Sequence, residues 1–168
     1  MGRCLAQRKR VLTMNLTVSK KTRRAPEVGD IFIMQPPDGQ FLFGRVISTD
    51  AAGPMGVGCV LVYVYRRRAS MKAPAPELLR DQLLVPPMMT NKLPWTKGYF
   101  EYVENHPLSA MDRLQQHCFR DTRGWYFDEH GARLPGATEP VGSWGLDSFR
   151  TIDDKISRAL GIPLAPDE

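Results

Sequence analysis

Residues 28–46, VGDIFIMQPPDGQFLFGRV, constrain the fold of this chain more than any other stretch. Ile31, Phe32, Ile33 and Met34 form an apolar run of strand length. Pro36-Pro37-Asp38-Gly39 then supplies turn chemistry, with Gly39 free to adopt the positive φ that Asp-Gly turns favour. Phe41, Leu42 and Phe43, followed by Arg45, Val46 and Ile47, form the returning strand. Gly44 sits inside that strand, where a glycine marks a bulge or a close backbone approach. A hairpin of this kind opens a small curled β-barrel.

The remaining elements follow from local signals. Residues 59–65, CVLVYVY, form a nearly unbroken apolar run, which predicts a strand buried on both faces. Arg66-Arg67-Arg68 ends it as a solvated rim or, alternatively, an anion site. The prolines of residues 73–87 confine a short helix to about 76–84. Residues 116–130, QHCFRDTRGWYFDEH, read as a further hairpin. Near the C-terminus, Ser148 or Thr151 caps a helix over 152–160, with Ile152, Ile156, Ala159 and Leu160 on one face. Asp153 and Asp154 complement its dipole, and Gly161 and Pro163 stop it. The chain thus predicts an α+β fold: a strongly bent, partly closed antiparallel sheet, barrel-like, with six or seven strands and two or three helices.

Charge divides the chain. Residues 1–24 hold eight basic residues and no acid, whereas the remainder holds 15 basic against 18 acidic residues. Residues 1–26 are therefore expected to be a basic, disordered leader, and 27–168 a single domain. The leader lacks the interleaved aromatic residues that nucleic-acid contact favours, so nucleic acid is not an expected partner. No apolar run is long enough to span a membrane, and no secretory h-region follows the basic start. Cys4, Cys59 and Cys118 are widely spaced and form no CxxC pair. A cytoplasmic protein with reduced thiols is expected.

Local motifs identify no enzyme. His106, His117 and His130 form neither HxH nor HExxH. A mixed metal site could draw on His117, Asp121, Asp128, Glu129 and His130, although their spacing does not require one. His117 is the best catalytic candidate among the three, with a satisfied structural histidine as the competing reading. Trp95, Tyr99, Phe100 and Tyr102 form a dense aromatic group suited to core packing or to an apolar ligand wall.

Several motifs in order carry a resemblance: Gly29-Asp30-Ile31-Phe32, Asp38-Gly39 with Phe43-Gly44-Arg45-Val46, Leu93-Pro94-Trp95 with Gly98-Tyr99-Phe100, His117-Cys118-Phe119-Arg120, Trp144-Gly145-Leu146, and the 150–163 unit. Over about residues 27–166 the chain resembles the immunity protein 26 family of bacterial polymorphic-toxin systems, and within it the HocA-like small phosphotriesterases. That resemblance implies one of two functions. The first is hydrolysis of an organophosphate triester to a dialkyl phosphate and a phenol-like alcohol. The second is binding and neutralising a protein toxin. For the hydrolase, the residues themselves nominate His117 with Asp121 to activate water and Arg45 to stabilise the phosphoryl oxygen. Trp95, Tyr99, Phe100 and Trp125 would line the small-molecule pocket, and a divalent metal is left open as a cofactor. For the immunity protein, the acidic C-terminal half would face a basic toxin.

Overall fold

The computed structural model describes residues 13–167. Its centre is the hairpin of residues 28–46 and the strands it recruits. Strand β1 (Asp30–Met34) pairs antiparallel with β2 (Phe41–Gly53) across the expected turn, where Gly39 has φ +81° and donates to Pro36 O. Gly44 lies opposite Phe32, and a Cβ there would sit 2.3 Å from the Phe32 ring. The glycine is thus a close-approach site, and the β2–β3 register also shifts beside it.

Strand β3 (Gly56–Ala69) returns along β2, with Cys59 through Tyr65 buried as their apolar run predicts. Strands β4 (Leu83–Thr90) and β5 (Glu101–Asn105) complete a five-stranded antiparallel sheet of order β4-β3-β2-β1-β5. The barrel expectation does not hold. Strands β4 and β5 lie at opposite edges and do not pair, so the sheet stays open despite four register shifts between β2 and β3. The free side of β4 instead meets the C-terminal region, where Met89 bridges to Leu146 and Asp147 N–H donates to Met89 O.

The helix expected at 76–84 is absent. Residues 75–79 have no regular structure, and the segment LLVPPMMT is strand β4. A proline pair survives there because β4 is an edge strand, where prolines need not donate to a ladder. The register also shifts between Val62 and Val64, opposite those prolines. A short helix, α1 (Leu93–Lys97), follows and ends at Gly98, with φ +86°.

The second sheet has four short strands in the order β8-β7-β6-β9. Strands β6 (Cys118–Arg120) and β7 (Tyr126–Phe127) form the expected hairpin. Strand β8 (Arg133–Leu134) extends it, and β9 (Val141–Ser143) joins β6 in parallel. Helix α2 (Phe149–Leu160) closes the chain, with Ser148 Oγ accepting from Thr151 N–H and Gly161 in the left-handed region. The fold is mostly β, with one helix longer than five residues.

Helix α2 does not present the face expected of it. Ile152 and Ile156 are buried, but Ala159 is exposed, and Asp153 and Ser157 are buried instead. Asp153 is sequestered because its carboxylate accepts Leu16 N–H at 2.7 Å and Asn15 N–H at 3.2 Å. Leu16 joins the core, and Thr17 N–H donates to Gln35 O. Residues 13–26, assigned to the leader on charge, therefore lie as a strap against the sheet, and residues 1–12 fall outside the described residues. Among the described residues, no helix is long and apolar enough to cross a membrane.

Candidate partner-binding surfaces

Arg45 projects from β2 beside Ile31 of β1 and is 5% exposed. Burying a guanidinium is costly unless it is paired, and the 106–112 loop supplies partners for Nη1 and Nη2, while Nε has none among the described residues. Nη2 donates to His106 O at 2.7 Å, and Nη1 pairs with Asp112 Oδ1 at 3.2 Å. Asp112 closes the single 3-10 turn Ala110–Asp112, where Oδ2 accepts Ser109 N–H at 2.7 Å. Burial alone would raise the Asp112 carboxyl, but the Ser109 hydrogen bonds and Arg45 outweigh it and hold that carboxyl below its ordinary range. On the facing loop, Glu104 accepts Ala75 N–H, and Arg80 donates to the carbonyls of Ala110 and Arg113.

The two loops enclose a cleft of about 900 Å³. Ile31 and Arg45 lie at its floor, Pro76 and Leu79 on one side, Pro107 and Met111 on the other. Met111 is 73% exposed and Leu79 44%. Glu77, Arg80, Asp81 and His106 add charge and polarity. The cleft is thus mixed, with exposed apolar side chains interleaved with charged ones. Arg45 is thus the strut of the cleft; its Nη1 and Nη2 are committed to Asp112 and His106 rather than offered to an oxyanion.

His117 lies elsewhere, buried between the sheets, in a complete network. Leu114 N–H donates to Tyr63 Oη at 3.0 Å, and Tyr63 Oη lies 2.5 Å from His117 Nε2. Nδ1 lies 3.2 Å from Glu129 Oε2. Nδ1 thus faces the Glu129 carboxylate, and Nε2 faces the Tyr63 hydroxyl. Burial pushes the Tyr63 phenol up to about 12, so it remains a proton donor. The His117 hydrogen bond, opposed by burial, holds the Glu129 carboxyl below its ordinary value. Nε2 lies against Tyr63 Oη, and His117 is 4% exposed.

Asp121 does not join His117. Its carboxylate accepts the N–H groups of Arg123 and Trp125 and pairs with the Arg123 side chain, closing the β6–β7 turn. Asp128 caps its own turn through His130 N–H and Ala132 N–H. Among the described residues, no three His, Cys, Asp or Glu side chains converge to hold a metal. The expected aromatic wall is dispersed as well. Trp95 and Phe100 pack edge-on at 4.9 Å and both meet Phe32 in the core. Tyr99 stacks on Phe149.

Trp125 is 38% exposed, at the second sheet. The Arg123 guanidinium carbon lies 3.8 Å from its ring centroid, and that of Arg133 lies 3.6 Å away. Two guanidinium groups this close to one indole lie on opposite faces, because on one face they would collide. Sequence reasoning missed Arg133 and Tyr63. An arginine two residues from a tryptophan was visible in RGW, but the arginine contributed by β8 was not.

Curated proteins and solved structures give no match to the chain. The family model described as Immunity protein 26 matches residues 27–123, more than half of the chain. That stretch runs from β1 through β6 and contains every residue that lines the cleft. The match overturns the expectation of a phosphoric triester hydrolase, because the family is one of immunity proteins and not of enzymes. The narrower likeness to HocA-like phosphotriesterases has no support from it. The chain belongs to the Immunity protein 26 family.

Proposed function

We propose that this protein binds a protein toxin and neutralises it by occupying its surface, with the Arg45-supported cleft as the principal contact. Membership of an immunity-protein family carries the reading. The cleft supports its placement, since it combines exposed Met111 and Leu79 with charged side chains and lies wholly within the matched residues. Buried anchors of this kind dominate binding energy at protein interfaces. Arg80, which donates to Arg113 O, ties the two loops together, and Glu104 accepts Ala75 N–H, so little ordering entropy is spent on binding.

The test is to search the neighbouring genes for a toxin and co-express any candidate with this chain, followed by titration calorimetry on the purified pair. The wild-type chain should restore growth. Leu79→Glu with Met111→Glu should weaken the complex by about 100-fold or more, as expected for charges forced into a desolvated anchor site. Full protection by that double variant would move the interface away from the cleft. Failure of the wild-type chain to bind or protect would sink the reading itself.

A further inference from the structure

The apolar stripe of α2 does not end in the core. Ile152 and Ile156 are buried, whereas Ala159, one turn further on, is exposed. Beside it lies a hollow of about 300 Å³ between three elements. Pro86 and Pro87 of β4 form one wall, Val141 and Gly142 of β9 a second, and Arg158 and Ala159 of α2 a third. Strand β9 lies close on β4 here, since a Cβ on Gly142 would be 2.5 Å from Pro87 O. The hollow is not a vacant strand position. Neither proline has an N–H, so a strand laid along this edge would find no donor at either. The two charged side chains that line the hollow, Lys155 and Arg158, are both cations. Lys155 is spent, donating to Asp147 Oδ2 at 2.7 Å and to Ser143 Oγ at 3.3 Å. Arg158 is exposed and has no carboxylate within 4 Å among the described residues.

We infer that this hollow binds a small apolar carboxylate, with its apolar body against Pro86, Val141 and Ala159 and its carboxylate on Arg158. An apolar concavity with one placed charge is the ordinary build of a small-ligand site, and this volume is at the low end of that range. A carboxylate matches the guanidinium fork with two oxygens. A phosphoryl group, with three acceptor oxygens, asks for more donors than one free guanidinium beside a committed lysine supplies. Two acids border the site without cancelling Arg158. Asp154, one turn back on α2, pairs with Arg150 at 3.6 Å, and Glu139 accepts Val141 N–H in the neighbouring hollow that holds Arg120. The β9 and α2 walls lie beyond residue 123, outside the stretch the family model matches, so the site stands apart from the toxin-binding reading. The same chemistry exists in a free organic acid and at the C-terminus of a protein that ends in an apolar residue.

The experiment is titration calorimetry of the full chain with three probes: phenylbutyrate, its neutral amide, and the peptide acetyl-Gly-Gly-Phe with a free carboxyl end. At least one of the two acids should bind, and the amide should bind at least about tenfold more weakly than phenylbutyrate, since it offers Arg158 no charge. Tighter binding of phenylbutyrate assigns the site to a free acid, and tighter binding of the peptide assigns it to a protein C-terminus. Arg158→Ala should weaken the tighter acid about tenfold. Ala159→Trp, which fills the hollow from an exposed position, should abolish binding. Arg133→Ala, on the opposite edge of the second sheet from β9, should change nothing. Thermal melts verify that each variant is folded. Binding of neither acid, an amide as tight as phenylbutyrate, unchanged affinity in Arg158→Ala or Ala159→Trp, or an equal loss in Arg133→Ala would each overturn the inference. Because no toxin is present, these results are read independently of the growth-rescue test.

Discussion

Replacing Tyr63 with Phe tests the buried histidine network most directly. The ring stays, with its packing against Tyr65 and His117, and only the hydroxyl is lost. Two groups then lose their partner: His117 Nε2, fully enclosed, and Leu114 N–H, partly buried. An orphaned buried polar group costs about 1–3 kcal/mol, so the variant should lose about 2–4 kcal/mol at pH 7. The loss should shrink in alkali. Tyr63 has an ordinary phenol value of 10 and is held at about 12 in the fold. Its contribution is therefore full below pH 10 and lost as the pH rises through 12, which costs the wild-type chain up to about 2.7 kcal/mol that the phenylalanine variant cannot lose. Urea unfolding followed by circular dichroism, at pH 7 and at steps from pH 9.5 to 12, gives both numbers. A loss below about 0.5 kcal/mol at pH 7, or a gap that stays constant into alkali, would refute the network as drawn.

Gly44→Ala should cost more than about 3 kcal/mol or prevent folding, since its Cβ would enter the Phe32 ring; a stable variant in thermal melts would show that the ring can move aside. Asp153→Ala leaves the N–H groups of Asn15 and Leu16 without an acceptor, and should speed tryptic cleavage at Lys20–Arg24 and lower stability by about 2–3 kcal/mol. Ser148→Ala removes the α2 cap and should cost about 1 kcal/mol in urea unfolding, with the helix otherwise intact. Glu129 has its carboxyl lowered from an ordinary 4.5, so it contributes stability above that pH that is lost as the pH falls below it. Glu129→Gln should therefore flatten the stability profile below about pH 4.5.

The legible parts of this fold are those whose cause is local. The Pro36–Gly39 turn, the buried run Cys59 to Tyr65 and the Ser148 and Gly161 caps of α2 are all written within a few residues of where they act. Strand β4 was illegible because its two prolines argue against a strand, and only its edge position makes them harmless. The surroundings of the nominated residues were illegible for the same reason at longer range. Sequence nominates His117 and Arg45 by residue type, but their roles depend on Tyr63 and Asp112, at sequence separations no local pattern reports. Asp153 reads as a solvated partner of the helix dipole until its acceptors are seen to hold Asn15 and Leu16.

The same argument changes what the charge of the chain says about its partner. Residues 101–168 carry 12 acids against 7 basic residues, which suggests an acidic face for a basic toxin. The acids are mostly spent inside the molecule. Asp112 holds Arg45, Glu129 holds His117, Asp147 holds Lys155, Asp153 holds the N-terminal strap, and Asp121 and Asp128 cap turns. Arg120 and Arg133 are what this half leaves unpaired at the second sheet. Net charge and available charge therefore point to opposite partners. A salt titration cannot separate them, because either attraction weakens as ionic strength rises. Charge reversal can: Arg133→Glu should loosen a complex with an acidic partner segment and tighten one with a basic segment, and the sign of that single change decides which charge the partner reads.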